Sequence, residues 1–148
     1  MKTNLRILTA VTVLCAGLFT IAAAEKKVEA GPKGGRLLDK TSPKAEFFVE
    51  KDRTVSITFY DDKLQPVPVG NQVVTVIAEA KSGKARLELA RKDGRLVSRM
   101  PLPEGEGYLI VVMIKAREDA KSQNFRLKLE THVCGGCKRA EYACTCGH

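Results

Sequence analysis

Tryptophan is absent from this chain, and only 5% of its 148 residues are aromatic. Histidine is almost absent: its two copies, His132 and His148, both fall within the last seventeen residues. Residues 25–131 hold no cysteine, so the five cysteines split between Cys15 near the N-terminus and Cys134, Cys137, Cys144 and Cys146 at the C-terminus. These gaps exclude whole classes of chemistry. A nucleophilic triad needs a histidine base, and Ser42, Ser56, Ser82, Ser98 and Ser122 have none within the body. The acid pairs Asp61-Asp62 and Glu104/Glu106 sit among turn-formers and read as solvated turns. The body is therefore predicted to be non-enzymatic. Without basic residues interleaved with aromatics, base stacking has no platform, so the formal charge of +8 does not point to nucleic acid. Helical periodicity is also missing from every window of helical length.

What is present begins with an export signal. Lys2 and Arg6 make a basic start, Ile7 to Ala24 is mostly apolar, and Ala22-Ala23-Ala24 offers a cleavage site. Val28-Glu29-Ala30 is a second candidate site. Thr9, Thr12, Gly17 and Thr20 interrupt the apolar run, which argues for a cleaved signal over a permanent span. Leu14 before Cys15 is too large for a lipidation site. Residues 1–24 are thus predicted to be a signal peptide of a periplasmic or secreted protein, with no stable membrane insertion once it is cut. Its removal takes two of the 25 basic residues and no acidic one, leaving a formal +6. That excess suits solubility, or weak adhesion to anionic envelope polymers.

Residues 25–35 are polar and rich in glycine, ending Gly31-Pro32-Lys33-Gly34-Gly35, and read as a linker. Residues 36–131 then alternate short apolar segments with turn signals, the rhythm of an all-β domain. Val55, Ile57 and Phe59 alternate with polar neighbours, as do Leu87 and Leu89, and Phe125, Leu127 and Leu129. Arg36–Leu38, Glu46–Glu50, Gln72–Glu79 and Arg95–Met100 are further strands. Leu109 to Ile114 is unbroken and predicts a central strand buried on both faces. Asp93-Gly94 marks a tight hairpin. Seven or eight short strands point to an immunoglobulin-like β-sandwich, one without the Cys…Trp…Cys core signature.

Gly31-Pro32-Lys33-Gly34-Gly35-Arg36-Leu37-Leu38, Ala45-Glu46-Phe47-Phe48-Val49-Glu50, Val55 to Asp61 and Pro66-Val67-Pro68-Val69 carry a resemblance. Across residues 31–70 the chain resembles small periplasmic sandwich modules found with, or fused to, bacterial heavy-metal efflux adaptor proteins. The resemblance implies an exported sandwich in a metal-handling context, with efflux or other envelope proteins as partners. Where those modules place a histidine before Gly-Gly, this chain has Lys33, which is no metal ligand while protonated.

The tail, residues 132–148, carries the distinctive chemistry. Cys134-x-x-Cys137 and Cys144-x-Cys146 are separated by six residues, a spacing that lets four thiolates converge on one ion of Zn(II) or Cu(I). His132 or His148 can replace a cysteine or join a second ion. Gly135 and Gly136 offer the positive φ that a metal knuckle demands, and Lys138 and Arg139 would offset the thiolate charge. Two other readings stay open. An exported protein commonly forms disulfides, and crossed pairs such as Cys134–Cys146 with Cys137–Cys144 would clip the tail into a hairpin. Cys134-Gly-Gly-Cys137 also has the form of a redox pair, although it follows a strand where such pairs usually open a helix. Tyr142 is expected to close the six-residue loop by packing.

Overall fold

The computed structural model describes residues 27–147; the expected signal peptide, Cys15 and His148 lie outside the described residues. Ten strands follow in chain order. They are β1 (Arg36–Leu38), β2 (Lys44–Val49), β3 (Val55–Tyr60), β4 (Pro66–Val67), β5 (Val73–Ala80), β6 (Gly83–Leu87), β7 (Leu89–Lys92), β8 (Arg95–Ser98), β9 (Leu109–Lys115) and β10 (Gln123–Lys128). A single 3₁₀ turn, Glu141–Ala143, lies in the tail. Among the described residues no helix is long and apolar enough to cross a membrane.

The strands form two antiparallel sheets. One runs β1-β2-β3-β8-β7, with β4 also paired to β3; the other runs β10-β9-β5-β6. Alternation sets which side chains face the space between them. Ala45 and Phe47 of β2, with Val55, Ile57 and Phe59 of β3, are wholly buried. They meet Val76 and Ala78 of β5 and Ile110 and Val112 of β9 in one continuous core. Each such aliphatic or aromatic side chain contributes about 1.5–3 kcal/mol by leaving water. This core carries the fold.

The strand count exceeds the seven or eight expected, for two physical reasons. Leu87 and Leu89 look like one alternating strand, but the chain changes sheets between them, so β6 and β7 pair with β5 and β8 respectively. Pro66–Val67 is too short to show periodicity and pairs only with Tyr60 and Phe59. The Asp93-Gly94 hairpin forms as expected, with φ of 49° and 75° at its two residues. β9 is central, between β10 and β5. Its burial nevertheless alternates: Ile110, Val112 and Ile114 face the core, while Leu109, Val111 and Met113 are half-covered. An antiparallel sheet with one solvated face produces that pattern.

Gly31 to Gly35, at the end of the segment read as a linker, close a turn against the outer face of the first sheet. Gly34 N–H donates to the Gly31 carbonyl at 2.9 Å, and Gly31 N–H to the Gly35 carbonyl at 2.9 Å. The anchor is Glu46, a fully buried carboxylate on β2. It accepts from Gly35 N–H (2.7 Å), Lys33 N–H (3.2 Å) and the Tyr60 hydroxyl (2.7 Å). Burial and the adjacent Glu46 carboxylate together push the Tyr60 phenol well above its ordinary range. A Cβ at Gly31 would sit 2.2 Å from Glu46 Cδ, and one at Gly35 2.3 Å from the Phe47 carbonyl oxygen. The glycines are therefore required by close approach.

Candidate metal centre

The tail leaves the sandwich at a fixed point. Thr131 donates through both its N–H and its hydroxyl to Glu106, and Gly107 N–H bonds the Leu129 carbonyl at 2.6 Å. From there the chain doubles back. Val133 and Ala140 form an antiparallel bridge, Glu141 N–H reaches the His132 carbonyl at 2.9 Å, and Tyr142 N–H reaches the Glu130 carbonyl at 2.9 Å. The second half of the tail thus lies against the first.

Tyr142 docks this hairpin onto the sandwich. Its ring is only 5% exposed and meets Phe47 edge-on, with centroids 5.7 Å apart and planes at 88°. Its hydroxyl oxygen accepts from Val49 N–H at 3.0 Å. Burial pushes the phenol up to about 12. Tyr142 and Ala143 belong to the same core cluster as Phe47 and Ile57. Tyr142 therefore packs, as expected, but against the sandwich core more than against its own loop.

The two cysteine pairs converge at the closed end of the hairpin. Around the first pair, Lys138 N–H donates to the Cys134 carbonyl (3.1 Å) and Cys134 N–H to the Arg139 carbonyl (2.8 Å). The positive φ this turn needs is supplied by Lys138, at 60°; Gly135 and Gly136 are not in the left-handed region. The glycine requirement has a different origin. A Cβ on Gly136 would lie 2.9 Å from Cys146 Sγ and 3.9 Å from Cys134 Sγ, whereas one on Gly135 would meet nothing within 4 Å. Gly136 makes room for sulfur.

No disulfide joins these four cysteines. Their Sγ atoms lie within 4.8 Å of one another. The Cys134–Cys144, Cys137–Cys144 and Cys134–Cys146 separations are 3.4, 3.7 and 3.8 Å. A tetrahedron with metal–sulfur bonds of about 2.3 Å has edges of about 3.8 Å, so these distances suit one four-coordinate ion. A disulfide, at about 2.05 Å, is much shorter. Cys134 and Cys144 are buried, Cys137 is half-buried and Cys146 is exposed. The cluster can hold a metal ion, and its access is through Cys146.

Backbone dipoles are aimed at the sulfurs. The N–H groups of Thr145 and Arg139 point at Cys137 and bring its thiol down to about 6. The Cys146 N–H, 3.4 Å from Cys144 Sγ, acts in the same direction there. Desolvation and the three neighbouring thiols outweigh it and push Cys144 up to about 12. At Cys146 the Cys144 contact favours the thiolate, but Cys134, desolvation and Cys137 together raise the thiol. Crowded sulfurs raise one another in this way until a cation shares their charge.

His132 does not join this group. His132 is exposed and outside the cluster, and His148 is outside the described residues. Among the described residues, Cys134, Cys137, Cys144 and Cys146 are the sole group of three or more candidate ligands close enough to share an ion. Lys33 has another task. Its ammonium pairs with Glu50 at 2.9 Å, reaches Ser56 Oγ at 3.3 Å and lies 4.4 Å from the Phe48 ring centroid. Sequence reading overlooked Glu46 and Glu106 as anchors, because an acid within a strand or turn carries no signal of the donors that will surround it. Comparisons with protein-family models, curated proteins and solved structures give no match.

Proposed function

We propose that this is an exported, non-enzymatic immunoglobulin-like protein that binds one Zn(II) ion through Cys134, Cys137, Cys144 and Cys146, with Cu(I) as the competing ion. The observation that carries the reading is the mutual spacing of the four sulfurs, near the edge of a zinc–thiolate tetrahedron. Tetrahedral four-sulfur sites favour zinc over metals that prefer oxygen or nitrogen ligands. Four protein ligands leave no open position for substrate, which favours a holding or structural role over catalysis. Lys138 and Arg139 beside the cluster offset part of its negative charge.

Two features support the immunoglobulin-like assignment. The orders β2-β3-β8-β7 and β10-β9-β5-β6 correspond to the A-B-E-D and G-F-C-C′ orders of that fold. Tyr108, directly before β9, donates its hydroxyl to the Pro103 carbonyl at 2.8 Å, the arrangement of a tyrosine corner. A role in envelope metal homeostasis, alongside efflux or other envelope proteins, rests on the export signal and on the resemblance carried by residues 31–70.

Native mass spectrometry on protein purified without oxygen tests the reading, with thiols counted before and after denaturation. One bound ion and four thiols released on denaturation are expected. A metal-free protein with two disulfides and no affinity for Zn(II) or Cu(I) would establish the clipped-tail alternative instead.

A further inference from the structure

A groove of about 950 Å³ opens on the first sheet, beside the docked tail. Its volume is at the upper end of the roughly 300–1,000 Å³ usual for small-ligand sites. Phe48, Val97 and Tyr142 give it apolar walls, and Tyr142 is the residue that anchors the tail. Five cations line it, Lys51, Arg53, Lys92, Arg95 and Arg99, against two carboxylates, Glu50 and Asp52. Both acids are already engaged. Glu50 pairs with Lys33 at 2.9 Å, and Asp52 accepts from Thr54 N–H and hydroxyl at 3.0 and 2.6 Å. Arg53 is engaged as well, donating to the Pro103 and Gly105 carbonyls at 2.7 and 3.0 Å and facing Glu106 at 3.8 Å. The other four cations are matched less fully.

Arg95 is the clearest case. Its side chain is only 32% exposed, its ion pair with Glu50 is long at 3.5 Å, and its Nε is buried with no hydrogen-bond partner among the described residues. A half-buried guanidinium normally uses its planar fork on a carboxylate or phosphate. Arg99 reaches Glu88 only at 4.0 Å, and Lys51 and Lys92 form no ion pair among the described residues. The groove therefore combines excess positive charge, an Arg95 Nε without a partner and an apolar lining. Each favours one part of the same ligand.

We infer that this groove binds a small amphipathic anion: a carboxylate or phosphate monoester carried on an apolar body. The anionic head meets Arg95 and Lys92, and the apolar body lies along Phe48, Val97 and Tyr142. The site does not call on the cysteines: its cations, Phe48 and Val97 lie on the sandwich, and of its named walls Tyr142 alone comes from the tail.

The test is an amide-resolved NMR titration of the mature protein at low salt with octanoate and octyl phosphate. Octylammonium and inorganic phosphate serve as controls. Saturable shifts centred on Ala90, Val97 and Tyr142 are expected with either amphipathic anion, and the tighter of the two identifies the preferred head group. Arg95→Gln and, separately, the exposed-site change Lys92→Gln should each weaken binding at least fivefold. Octylammonium should give no saturable shift, and inorganic phosphate should bind at least tenfold more weakly than octyl phosphate. Linear shifts without saturation overturn the proposal. So does equal binding of octylammonium, or affinity unchanged in Lys92→Gln and in a folded Arg95→Gln protein.

Discussion

Replacing Tyr142 by alanine measures whether the cysteine hairpin is part of the folded domain. The ring is 5% exposed, so its removal leaves a cavity between the tail and Phe47. Aromatic-to-alanine changes in cores cost about 3–5 kcal/mol, a range that includes the edge-to-face contribution of about 0.5–1.5 kcal/mol. The hydroxyl bond to Val49 N–H adds about 1 kcal/mol. Tyr142→Ala is therefore expected to lose about 4 kcal/mol, and Tyr142→Phe, which keeps the ring, about 1 kcal/mol. Single domains have about 5–15 kcal/mol in total, so the alanine change removes a large share. In a domain of this size it should lower Tm by roughly 15 °C. Urea unfolding followed by far-UV circular dichroism reads both variants without a tryptophan probe. A Tyr142→Ala protein within about 0.5 kcal/mol of the parent would refute the docking argument and make the tail an appendage.

The two knuckle glycines give a matched pair. Gly136→Ala should weaken metal binding by at least tenfold, because its Cβ would stand 2.9 Å from Cys146 Sγ; Gly135→Ala, with open space around it, should leave affinity within twofold, as read by competition with a chromogenic chelator. Glu46→Ala strips the acceptor from three donors and should cost about 3–4 kcal/mol in urea unfolding. Glu46→Gln, which turns an NH₂ toward those donors, should recover only part of that loss. Metal affinity should rise with pH. Cys144 near 12 and Cys146, also raised, still hold protons at pH 8, so each ion that binds must displace at least two. Apparent affinity should then climb about a hundredfold per pH unit near neutrality. Calorimetry in buffers of different ionisation enthalpy counts those protons.

Strand alternation made much of the sandwich legible. Val55, Ile57 and Phe59 announce a one-faced strand, and β1 and β3 fall at the predicted residues. Period-two patterning reports burial, however, and not which sheet a strand joins. The change of sheet at Glu88 was invisible for that reason. The four cysteines were legible from spacing alone, since ligand chemistry is local. Other features depend on partners distant in sequence. Glu46 needs the turn 31–35, and Tyr142 meets Val49 across 93 residues. The role of the glycines was legible only in part: their small size matters at Gly136, while Lys138 takes the left-handed backbone.

The central claim is a single ion held by four thiolates, and X-ray absorption at the metal edge tests it most directly. Protein loaded with one equivalent of Zn(II) should show a first shell of four sulfurs at about 2.3 Å, with no nitrogen or oxygen scatterer. Cys146→Ser should replace one of them by a lighter atom. A shell dominated by nitrogen and oxygen, or protein that takes up no zinc because its cysteines are paired as disulfides, would contradict the account.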